Sequence, residues 1–227
     1  MISSPSPVHQ QPTSRPGSHP IWLLTGFWIC VIISIAVVVR RLIELMRPPA
    51  TGASAMARIN DTFSSHATLT AAHIIPAAIF VLLAVVLLLS RSGRKRLEPS
   101  FYLFGLITGI TAYAMSVYAI GGWIERSAVL VFNSWFLFSL ARSYLFRLQG
   151  DVASQRNWMT RAVGILLGIA TTRPVMGVFF ATSSLTHLSP QQFFGIAFWI
   201  GFSINAIVIE LWLHSKTRSL MIQRKAA

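Results

Sequence analysis

An all-α integral membrane protein, built as a six-transmembrane-helix bundle, is the fold class this sequence predicts, on three observations. Of its 227 residues 54% are hydrophobic and only 11% charged, against about 25% charged in an ordinary soluble domain, which places the chain in a bilayer. Its apolar residues gather in six runs of about the 20 residues that a spanning helix needs, without the strict alternation of a barrel strand. Its basic residues gather in short segments between those runs, as membrane-flanking Lys and Arg do. The net charge of +13 therefore points to the lipid bilayer as partner and away from nucleic acid.

Residues 1–20, MISSPSPVHQQPTSRPGSHP, are rich in Pro and Ser and lack apolar periodicity, the pattern of a disordered tail. The first run, Ile21 to Val39, is longer than a signal-peptide core and is followed by RRLIELMRPP instead of a small-residue cleavage site, so it reads as an anchor. It holds the lone cysteine, Cys30, which excludes an intramolecular disulfide and a cysteine metal cluster. The second to sixth runs are Leu69 to Leu89, Phe101 to Gly121, Ser127 to Phe146, Trp158 to Thr182 and Gln192 to Leu213. In lipid each must bond its own backbone, so each is expected to be a helix. One transmembrane domain over 21–214 and a basic tail over 215–227 follow.

Orientation comes from counting Lys and Arg in short connections. The segment RSGRKRLEPS, the fourth connection with Arg142, Arg147 and Arg156, and the tail with Lys216, Arg218, Arg224 and Lys225 alternate correctly and are expected to be cytoplasmic. The first loop, with Arg40, Arg41, Arg47 and Arg58, breaks the pattern. Both termini inside is the reading that fits best.

That topology assigns depths at about 1.5 Å per residue. Arg161 and Glu210 lie about one turn inside the fifth and sixth helices from the cytoplasmic end, and pairing would offset much of the cost of burying either. Independent snorkelling to the headgroups is the alternative. Arg173 lies 15 residues past Trp158, roughly 22 Å up a core of about 30 Å, beyond reach of the inner surface. Pro174 follows it and is expected to kink the helix. No carboxylate falls in the outer half of any of the six runs, so the neighbours expected around Arg173 are His73, Tyr113, Tyr118 and Asn133. His66 would share the face of His73 if the second helix began early. An arginine without a carboxylate invites an anion: a substrate, a lipid phosphate or a cofactor propionate. His187 and His214 read as surface residues without a second ligand at metal spacing, and no metal site is expected. Gly105, Gly109, Gly164 and Gly168 have the small-x-x-x-small spacing of close helix packing.

The stretch ARSYLFRLQGDVASQRNWMTRAVGILLGIATTR and the helix AAHIIPAAIFVLLAVVLLLSR resemble the prokaryotic membrane proteins grouped as domain of unknown function 2306. Arg147, Gly150, Asp151, Arg156, Trp158, Met159, Arg161 and Arg173 fill the places of that family's signature, with His73 in its helix-two histidine place. The resemblance covers roughly Leu69 to Thr182 and implies a bacterial inner membrane. Phe101 and Tyr102 stand where the family has His-Arg opening the third helix, and Gln155 stands where it has a later histidine. The family's paired histidines imply a b-type haem or quinone redox protein similar to the cytochrome b561 class. Haem held by two histidines needs imidazoles facing across a dry pocket, and this chain keeps one histidine of three. The leading expectation is binding or transport of a small anionic or lipid-like ligand by Arg173, His73, Tyr113 and Asn133. A structural subunit assembling with a membrane partner, and a redox enzyme, stand as alternatives.

Overall fold

The computed structural model describes residues 21–46, 61, 63–89 and 94–226. The tail read as disordered, and the basic residues Arg47, Arg58 and Arg91, lie outside the described residues. The rest is helical: α1 Ile21–Leu45, α2 Ala67–Leu89, α3 Arg94–Ser116, α4 Gly122–Leu148, α5 Val152–Leu166, α6 Gly168–Ala181, the single turn α7 Ser183–Thr186, and α8 Pro190–Ala226. Among the described residues there is no strand. Five stretches of the described residues are long and apolar enough to cross a membrane: α1, α2, α4, α5 with α6, and α8. The third expected span, α3, is less apolar because it opens on the charged segment RKRLEP and carries hydroxyl groups further along, and it is flanked by α2 and α4.

Contact registers define the topology. Phe80 stacks on Phe101 at 4.5 Å while His73 meets Thr111, so α2 and α3 run antiparallel. Tyr102 meets Ser143 and Tyr113 meets Ser134, so α3 and α4 do too. Gln155 faces Ser143, and Glu210 faces Arg161 while Asn205 faces Gly164, which sets α5 antiparallel to both α4 and α8. Helices α4 and α8 are parallel, with Trp199 on Ser127 and Phe202 stacked on Phe132.

Lipid supplies no hydrophobic force between helices, so close backbone approach does that work. A Cβ on Gly105 would meet Phe80 and Leu140, and one on Gly164 or Gly168 would strike Ile209 or Phe202 of α8. Gly201 on α8 sits against the backbone of Thr172.

Several boundaries differ from expectation, α3 and α5 starting already at Arg94 and Val152. Helix α1 runs past Val39 to Leu45, because Arg40 and Arg41 share Glu44 one turn on, at 2.9 and 2.8 Å. Helix α3 ends at Ser116, and the chain unwinds through tight turns to Gly122, whose φ of +59° favours glycine. Helix α4 therefore starts at Gly122, five residues before the expected Ser127. The segment read as a basic tail from residue 215 continues α8 as helix.

The fifth span is broken, but not by Pro174, which lies inside α6. The break is at Leu167, whose carbonyl accepts the Ala170 N–H at 2.9 Å in a turn tighter than α-helix. Asn205 Nδ2 donates to the Gly164 carbonyl at 3.1 Å just before it.

Candidate functional site

The signature around the α4–α5 turn is built for structure. Gly150 adopts φ +74°, closing α4. Asp151 then caps α5, accepting the Ser154 N–H at 3.0 Å, and hydrogen bonds from the Ser154 side chain and backbone hold its carboxyl below the usual range. Arg147 Nε donates to Glu98 at 2.6 Å, and Arg156 Nη2 to the Leu88 carbonyl at 2.8 Å. Arg161 binds Glu210 through two hydrogen bonds and lies 4.4 Å over the Trp158 ring. Met159 is buried. Each of these three arginines has an oxygen partner.

Among the described residues Arg173, on α6, has none. Its Nε is enclosed without a hydrogen-bond partner, and its Nη1 meets only the Met176 sulfur at 3.9 Å. It lines a cavity of about 230 Å³ at the opposite end of the bundle from the α4–α5 turn. His73 from α2 and Asn133 from α4 line the same space. Their orientations are set by α3. Thr111 spends its hydroxyl proton on the Ile107 carbonyl at 2.7 Å, so His73 Nδ1 donates to Thr111 Oγ1 at 3.0 Å. Asn133 Nδ2 donates to the Gly109 carbonyl at 2.9 Å. Ser34 of α1 also lines the cavity, and among the described residues its buried Oγ has no partner.

Tyr113 is not part of this wall. Its hydroxyl turns to Ser134 Oγ at 2.7 Å, because α3 and α4 meet directly at that level. Tyr118 does line the cavity, its ring tilted 33° against that of His66 at 3.7 Å between centroids.

The expectation that no carboxylate shares the level of Arg173 is overturned. Starting α4 at Gly122 carries Glu125 into its first turn, where it is buried and lines the cavity. Its Oε2 accepts the Gly121 N–H at 2.6 Å. Arg173 and Glu125 share the cavity without forming an ion pair, since no carboxylate oxygen of a described residue lies within 4.0 Å of Arg173. Asn205 was also overlooked. It accepts the Thr171 hydroxyl at 2.6 Å and ties α6 to α8, and a lone amide inside the apolar run FSINAIVIE was the signal for it.

The residues do not fit haem. Among the described residues His73 is the one histidine on the cavity wall, and no second imidazole of those residues faces it. Tyr102 and Gln155, at the positions where the resemblance has Arg and His, meet each other instead. Gln155 Nε2 donates to the Tyr102 hydroxyl at 3.3 Å, and Ser143 lies 2.9 Å from that hydroxyl. This buried network is nine residues along α3 from Thr111, roughly 14 Å from the His73 level. Among the described residues no three His, Cys, Asp or Glu side chains could hold a metal.

Neither a curated protein nor a solved structure matches the chain. Residues 70–213, well over half of the sequence, match the model of a family described as "Predicted membrane protein (DUF2306)", and the chain, an all-α membrane protein, belongs to that family.

Proposed function

We propose that the protein binds, and carries within the membrane, a small anionic or lipid-like molecule whose acidic group is held by Arg173. The observation that carries this reading is the enclosed Arg173 Nε, left without a partner on the wall of a cavity. An unmade hydrogen bond from a buried polar group costs about 1–3 kcal/mol, and more when the group is charged. Ser34 Oγ is a second orphan on the same wall. A ligand bringing acceptor oxygens to that corner, with its apolar part among Val81, Phe132 and Phe136, would remove both costs at once. His73 and Asn133 would orient it.

We further infer that this cavity lies in the outer half of a bacterial inner membrane, with both termini cytoplasmic. Arg96, Arg147, Arg156, Lys216 and Arg218 collect at the end that holds the α4–α5 turn, as cytoplasmic flanks do. A C-terminal fusion that is active as a cytoplasmic fluorescent reporter and inactive as alkaline phosphatase is the expected outcome; the reverse pattern would invert the topology.

The binding test is thermal unfolding of detergent-purified protein with octanoate and with inorganic phosphate. Octanoate is expected to raise the melting temperature of the wild type and to leave that of Arg173→Gln unchanged. Equal shifts in both proteins, or none with either probe, would remove the reading.

A further inference from the structure

A second cavity lies in the other half of the bundle, between α1, α5–α6 and α8, with a volume of about 360 Å³. Its walls are apolar: Phe27 from α1, Val163 from α5, and Val208 and Ile209 from α8. Its floor is Thr171 and Asn205, whose polar atoms are spent on each other and on the Gly164 carbonyl, so nothing there asks for a polar ligand. The mouth is different. Arg156 and Lys216 both line it, Arg156 anchored to the Leu88 carbonyl and Lys216 lying 5.5 Å over the Trp212 ring. None of the chain's six acidic residues lines this groove.

Two cations over an apolar slot, with no carboxylate of the chain among them, complement an anion that carries a hydrocarbon chain. The length agrees. Lys216 and Asn205 are 11 residues apart on α8, roughly 16 Å, or about half of a 30 Å hydrocarbon core. The groove thus spans one leaflet, and exposed Leu24, Leu89 and Leu211 belong to the same half of the bundle. We propose that this groove is a site for an anionic phospholipid, its phosphate between Arg156 and Lys216 and one acyl chain extending toward Asn205. Basic pockets between membrane helices recognise anionic headgroups by the same charge arrangement. The site is separate from the Arg173 cavity and does not depend on any ligand there.

The test uses the full chain, purified in detergent and stripped of lipid, with melting temperature followed during titration. The titrants are phosphatidylglycerol, phosphatidylcholine with identical chains, and inorganic phosphate. Phosphatidylglycerol is expected to stabilise at lower concentration than phosphatidylcholine, and phosphate alone to have no effect. Lys216→Gln, at an exposed position, should weaken the phosphatidylglycerol response roughly fivefold and spare the phosphatidylcholine response. Val208→Phe, which fills the slot and leaves both cations, should abolish the preference. Arg173→Gln should not alter it, which separates this site from the first. Equal responses to the two lipids, stabilisation by phosphate alone, or an unchanged preference in both groove variants would each overturn the assignment.

Discussion

Arg161 Nε lies 2.6 Å from Glu210 Oε1, and Arg161 Nη2 donates to Glu210 Oε2 at 3.0 Å, so α5 and α8 are joined by a two-pronged ion pair. The side chains are 20% and 27% exposed, so the pair is only partly desolvated. Removing one partner strands the other. Arg161→Met is expected to cost roughly 2 kcal/mol, less than the 3–5 kcal/mol of a fully buried pair. The double variant Arg161→Met with Glu210→Leu should recover most of that loss. Chemical unfolding of the four proteins in a mutant cycle measures the coupling, and strictly additive losses would show that the pair contributes nothing of its own.

Glu125 bears on the Arg173 cavity in the opposite sense. Its carboxylate opposes an anionic ligand, whereas its Oε2 is the acceptor for the Gly121 N–H. Glutamine keeps an acceptor oxygen and removes the charge. Glu125→Gln should tighten octanoate binding on the order of tenfold, as expected for deleting one like charge across a partly desolvated cavity. Weaker binding would mean that the carboxylate positions Arg173 instead of competing with its ligand.

Two glycines of neighbouring helices should respond oppositely to alanine. A Cβ on Gly201 meets the backbone N and Cα of Thr172, which cannot move aside as a side chain can. Gly201→Ala should therefore destabilise by roughly 1–3 kcal/mol. Gly177, on α6, has open space around its Cβ position, and alanine there should be neutral or stabilise by up to about 1 kcal/mol through helix propensity. Parallel thermal melts check both, and equal effects would contradict the α6–α8 contact.

The helices were legible because lipid demands long apolar stretches, and α1, α2, α4 and α8 announce themselves in that way. Their ends were less so. GGWIERS has low hydropathy, which hid the fact that α4 starts at Gly122 and takes Glu125 inward. Pro174 was the obvious breaker, yet it remains within helix, while Leu167 gives way where Asn205 of another helix takes hold of the Gly164 carbonyl. Depth along a helix placed Arg173, His73 and Asn133 at one level, but depth says nothing of azimuth, and Tyr113 at the same level faces Ser134. The groove beneath Lys216 was invisible for a related reason: its walls come from α1, α5–α6 and α8, far apart in the chain.

The break at Leu167 also governs how the two hollows are partitioned. Leu166 faces the space that holds Arg173, and Leu167 faces the groove that opens beside Lys216. Gly164 and Ile165 before the break, and Ala170 and Thr171 after it, divide between the same two hollows, so this stretch of backbone is a shared partition between them.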